Sequence, residues 1–169
     1  MAADTESTWF PLFEFQDWIY QSVLVLPTPE EDTAAPGAGV TAKKWAKGSL
    51  FLGQALEASE DGYTLGGRLE FAPGVELDVS ANGTKGSGNA PASFEATGTG
   101  TKEPLKGAIY QLTGWVFAEQ PISPSGAGRV SSIRGSVRAV RGPDSNPEFD
   151  PGGMPAGTTV GSFVVTRVS

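Results

Sequence analysis

The stretch YTLGGRLEFAPGVELDVSA, residues 63–81, decides the fold class. Its second half alternates strictly, with Val75, Leu77 and Val79 against Glu76, Asp78 and Ser80. Its first half places Tyr63, Leu65, Leu69 and Phe71 on one face and Thr64, Arg68 and Glu70 on the other. A period of two is the signature of a half-buried strand. The APG between the halves turns the chain. Two such runs joined by so short a turn form an antiparallel hairpin, because a parallel pair needs a long crossover.

The same rhythm continues in both directions. Upstream, SLFLGQALEA (49–58) ends at SEDG, where Asp61-Gly62 is a hairpin signal. Downstream, the glycine-rich NGTKGSGNAP turns into ASFEATGTGT, which sets Phe94, Ala96, Gly98 and Gly100 against Glu95, Thr97 and Thr99. LKGAIYQLTGWVFAE (105–119) is the longest apolar strand, followed by VSSIRGSVRAVRG (130–142) and TTVGSFVVTRV (158–168). PDSNPEFDPGGMPAG (143–157) reads as a loop with no regular pattern, and AKKWAK (42–47) as a helical turn that docks Trp45 and leaves its lysines in water. The aromatic segment 9–26 carries a strand from Trp18 to Leu26, ended by Pro27, that packs on or joins the rest.

The count is about eight short strands with little helix, which indicates a sandwich or a barrel. Gly53, Gly66, Gly67, Gly98, Gly100, Gly114, Gly135 and Gly161 fall inside otherwise good strands. Closed sheets need such positions for sharp bends, so the expectation is a single all-β domain over residues 1–169, an antiparallel barrel of about eight strands. A barrel of that size either fills with side chains or holds one small ligand.

Composition narrows the chemistry. The 169 residues carry a net charge of −7 and contain neither cysteine nor histidine. Thiolate catalysis, Ser-His-Asp triads and the usual zinc ligands are therefore excluded, and no metal or cofactor is expected. The acidic balance disfavours nucleic acid and anionic lipid as partners. No basic segment followed by an apolar one opens the chain at MAADTESTWF, so the expected location is the cytoplasm. The N-terminal aromatics exceed what one small core needs, which favours a homodimer over a monomer.

Candidate site residues come from two strands above all. On AIYQLTGWVFAE, one face carries Ile109, Gln111, Thr113, Trp115, Phe117 and Glu119, a mixture of large aromatics and hydrogen-bonding groups typical of small-molecule pockets. The opposite face, Tyr110, Leu112, Gly114 and Val116, is also apolar, so one face lines the interior and the other packs elsewhere. On the first choice Trp115 and Phe117 shape a substrate while Gln111, Tyr63 or Glu119 polarises a carbonyl or moves a proton. Gln54, among Leu50, Leu52 and Leu56, needs a partner if buried, either structural or ligand. Arg134 and Arg138 share a face opposite Ile133, Val137 and Ala139, which turns them outward, unless Arg134 serves a polar lumen.

The closing GTTVGSFVVTR (157–167), after VSSIRGSVRAVRG, resembles the allene oxide cyclase and dirigent-type barrels of calycin type. Those end on a comparable pattern of Gly, Thr, Gly, Phe and a basic residue, here Gly157, Thr158, Gly161, Phe163 and Arg167. The likeness covers the last third of the chain and carries no site residue over. It implies a cofactor-free cyclase or isomerase of natural-product type, whose lumen folds an apolar substrate and in some such barrels closes a ring by [4+2] addition. The strand rhythm also fits a lipocalin-like carrier of a hydrophobic ligand, and a barrel filled with side chains would be a structural or interaction module.

Overall fold

The computed structural model describes residues 16–27, 40–58, 62–84, 91–118 and 130–167. They form eight strands: β1 (Gln16–Pro27), β2 (Val40–Ala58), β3 (Gly62–Ala72), β4 (Val75–Thr84), β5 (Ala92–Thr99), β6 (Ile109–Ala118), β7 (Val130–Arg141) and β8 (Val160–Arg167). Each pairs antiparallel with its neighbours in sequence, and β1 pairs with β8 to close the barrel in the order β1 to β8. Among the described strands closure leaves none at a sheet edge, which removes the main aggregation hazard of a β protein. The segment carrying Trp18 thus joins the barrel as a full strand between β2 and β8. No helix occurs among the described residues.

The alternation read from the sequence sets the register. Leu77 and Val79 on β4, and Phe94 and Ala96 on β5, are buried, while Asp78, Ser80, Glu95 and Thr97 are exposed. Between β3 and β4 the turn is made by Gly74, whose φ of 79° lies in the left-handed region that suits glycine.

The AKKWAK stretch is strand rather than helical turn. It belongs to β2, where Ser22 pairs with Ala46 and Val23 with Lys44, so Trp45 is the extra residue of a β-bulge. A bulge shifts the alternation by one and re-aims a side chain. Ala46 and Trp45 consequently both face the lumen, although they are adjacent in sequence. Gly161 on β8 makes room for the indole, since a Cβ there would stand 2.9 Å from Trp45 Cε3.

The two ends of the barrel differ. One is packed solid by Trp18, Leu65, Ala81, Val116, Ile133 and Val165, all buried. At the other end the β5–β6 and β7–β8 connections form a cover. The Asp144 N–H donates to the Lys106 carbonyl, and Arg141 bridges the Gly107 carbonyl and the Asp144 carboxylate at 2.7 Å each. The 143–157 loop is thus ordered: Phe149 and Pro155 form a β-bridge, and Gly153 turns the tip at a φ of 83°.

Candidate functional site

Beneath that cover lies a cavity of about 270 Å³. Its walls are Leu50, Leu69, Leu77, Val79, Leu112 and Val137 from the strands, with Phe94 toward the packed end and Phe71, Val75 and Leu105 toward the cover. Ala96 and Gly98 on β5 line it too, and their small size leaves space that larger inward residues would fill. A volume at the lower edge of the small-molecule range suits one compact ligand. Its mainly apolar walls, with a few polar groups, are the usual make-up of a small-molecule site.

Its polar groups gather at the covered end. Asp150, from the β7–β8 loop, is only 5% exposed and lines the cavity. The Trp45 Nε1–H donates to Asp150 Oδ2 at 2.6 Å, and the Met154 backbone N–H donates to Oδ1 at 2.9 Å. The Asp150 N–H returns a bond to the Met154 carbonyl at 2.8 Å, so the carboxylate is fixed by its own small turn and by the bulged tryptophan of β2. Tyr110 stands edge-on to Trp45, with ring centroids 6.2 Å apart. Tyr20 stacks on Phe163 at 6.0 Å and meets Phe71 edge-on at 6.5 Å.

All three tyrosines of the chain resist ionisation. Burial pushes Tyr20 up to about 12, against a smaller opposing hydrogen bond from Ser22. Tyr63 is raised further by burial alone. Tyr110 is raised by burial first, then by the negative charge of Asp150, by Tyr20 and by its hydrogen bond to Asp150. The phenolate is the charged form, so the folded state holds protons that the unfolded chain releases near pH 10. Stability is therefore complete below pH 10 and falls as the pH rises through about 12, by about 2 to 3 kcal/mol from Tyr20 alone. In an absorbance titration at alkaline pH, no tyrosine is expected to ionise near pH 10 while the barrel stays folded. All three should appear together with loss of the near-ultraviolet circular dichroism, and a separate early step near pH 10 would contradict this burial.

The residues anticipated from the sequence are dispersed. Gln111, Trp115 and Phe117 do not face the lumen: Gln111 is exposed, Trp115 is 51% and Phe117 43% exposed. The inward face of β6 is the other one, Tyr110, Leu112, Gly114 and Val116. Both faces of this strand are apolar, and on the inward one Gly114 pairs directly with Gly135 of β7. Arg134 is outward, over the Phe117 ring at 5.7 Å and donating to Ser132 Oγ at 3.2 Å, so it does not serve the lumen. Tyr63 is inward but belongs to the packed end, and its hydroxyl donates to the Ser93 carbonyl at 2.7 Å. Gln54 sits where the β2–β3 register shifts between Leu52 and Ala55, and its side chain lies outside the described residues. Glu119 also lies outside them. Trp115→Ala is accordingly expected to change the affinity for a lumen ligand less than twofold, measured by calorimetric titration.

Sequence reasoning missed Trp45, Asp150, Tyr110 and Tyr20 as a group. The available signal was the pairing of a tryptophan amid lysines with an aspartate in FDPGG, but nothing in either stretch says that they meet across 105 positions.

No protein-family model, no curated protein and no solved structure matches this chain.

Proposed function

We propose that the barrel binds one compact apolar molecule in its lumen and acts on it as a cofactor-free cyclase or isomerase. The observation that carries this reading is the cavity: hydrocarbon walls, one packed end, and at the other a fixed carboxylate beside the Trp45 indole and the Tyr110 phenol. Walls of this kind exclude water and hold a flexible chain in a folded shape, which lowers the entropic barrier to ring closure. A [4+2] closure moves three electron pairs within the substrate, releases nothing and needs no redox partner. Asp150, Trp45 and Tyr110 would orient the polar end of the molecule while the walls bring its reacting carbons together.

The test is a panel of linear polyenes that carry a diene and an alkene in one chain. The expected result is a product of unchanged mass, altered retention and lost diene absorbance, formed faster with protein than without. Saturable binding with no rate change would leave a carrier of hydrophobic ligands. Absence of binding across the panel would overturn the lumen reading altogether.

A further inference from the structure

The polar end of the cavity has a definite sign. Its two fixed N–H donors, from Trp45 and Met154, are already directed at Asp150. The Tyr110 ring borders the same cavity, edge-on to Trp45. Asp150 offers a ligand the lone-pair sites these donors leave free, out of about four on a carboxylate, with the hydroxyls of Tyr20 and Ser22 lining the same cavity. Among the described residues no lysine or arginine comes within 4.0 Å of Asp150. Lys47 borders the cavity but is exposed to solvent.

The surroundings of the carboxylate are aromatic. Trp45, Tyr110, Tyr20 and Phe71 all line the same cavity as Asp150. Ring faces carry negative charge density and attract cations, most strongly where water is excluded, and clusters of such rings recognise alkylated ammonium groups. A buried carboxylate is costly unless its charge is balanced. Four rings and one carboxylate at the end of a hydrocarbon-walled cavity complement an alkylated ammonium head on an apolar body. The net charge of −7 raises the local concentration of such cations.

We infer that the lumen ligand carries a basic, alkylated nitrogen, a protonated tertiary amine or quaternary ammonium, which seats among Trp45, Tyr110, Tyr20 and Phe71 against Asp150. This rests on the lumen reading above and names the polar group of its ligand. A protonated tertiary amine can donate its one N–H to Asp150 while its alkyl groups contact the rings.

Calorimetric titration with three probes of one hydrocarbon body tests it: phenethyl-trimethylammonium, its neutral tert-butyl isostere, and the corresponding carboxylate. The ammonium is expected to bind at least tenfold tighter than the isostere, and the carboxylate weakest of the three. Asp150→Asn should bring ammonium and isostere to within threefold of each other. Equal binding of ammonium and isostere to the native protein would overturn the inference and leave the lumen reading standing. Tighter binding of the carboxylate would overturn it. If no probe binds at all, the lumen reading fails, and the inference with it. The comparison in the native protein needs no variant, so it decides even if Asp150→Asn weakens the cover.

Discussion

Ala96→Phe is expected to abolish ligand binding, with at least a hundredfold loss of affinity, while the barrel stays folded. Ala96 is buried on β5, opposite Leu112 on β6 and Ala81 on β4, and it borders the cavity. Added bulk in a well-packed core forces strain of about 1 to 3 kcal/mol. Here the new ring has a void to enter, so the strain is partly relieved and the melting temperature should move by less than about 5 °C. Occupying the void removes the space that a ligand needs. The pair of readouts is calorimetric titration and thermal melting followed by circular dichroism. Unchanged affinity in a folded Ala96→Phe protein would place the ligand somewhere other than the lumen.

Gly135→Val is expected to be the most damaging substitution in the strands, for a backbone reason. Gly135 and Gly114 face each other across β6 and β7. A Cβ at Gly135 would collide with the Thr113 carbonyl oxygen and stand 2.5 Å from Gly114 Cα, both backbone atoms that cannot swing aside. The strands would have to separate, at a cost of about 3 kcal/mol or more. For a chain of this length that is a fall in melting temperature of about 6 to 12 °C. Gly98→Ala makes the control. Its Cβ would meet the Leu77 side chain, nearest at Cδ1, 3.1 Å away, the far end of a flexible chain bordering the cavity. The control should cost no more than about 1 kcal/mol, because alanine also restores some of the stability that a strand glycine forgoes. Equal melting temperatures for the two variants would show that the close crossing at Gly114 and Gly135 does not constrain the barrel.

The sequence is most legible where one face of a strand is polar. β4 and β5 alternate apolar and charged or hydroxyl residues, and burial follows that alternation residue by residue. β7 is equally plain, with Ile133, Val137 and Ala139 inward and both Arg134 and Arg138 outward. The glycines inside strands pointed to closure, and the pairing of β1 with β8 delivers it. β6 defeats the same logic because both of its faces are apolar and the larger aromatics lie outside, where Arg134 covers Phe117. Periodicity gives two faces but not which one turns inward.

The site is less legible because its parts come from elements that only closure brings together. Trp45 reaches the lumen through a bulge, a one-residue shift that no local pattern in AKKWAK announces. Asp150 lies in a loop whose order comes from a short bridge between Phe149 and Pro155 and from ties to the β5–β6 connection. Tyr110 is chosen over Gln111 by the direction of β6 alone. The cavity itself reflects small residues, Ala96 and Gly98, opposite medium ones, and is a property of the summed volumes rather than of any motif.

Lumen binding is tested most directly by nuclear Overhauser contacts between a bound apolar probe and the methyl groups of the protein. The expected result is contacts to Leu69, Leu77 and Leu112, which line the cavity, and none to Val140 or Val160, which are exposed on the outer surface. Contacts to Val140 and Val160 instead, with the lumen leucines silent at saturation, would contradict the lumen as the site of function.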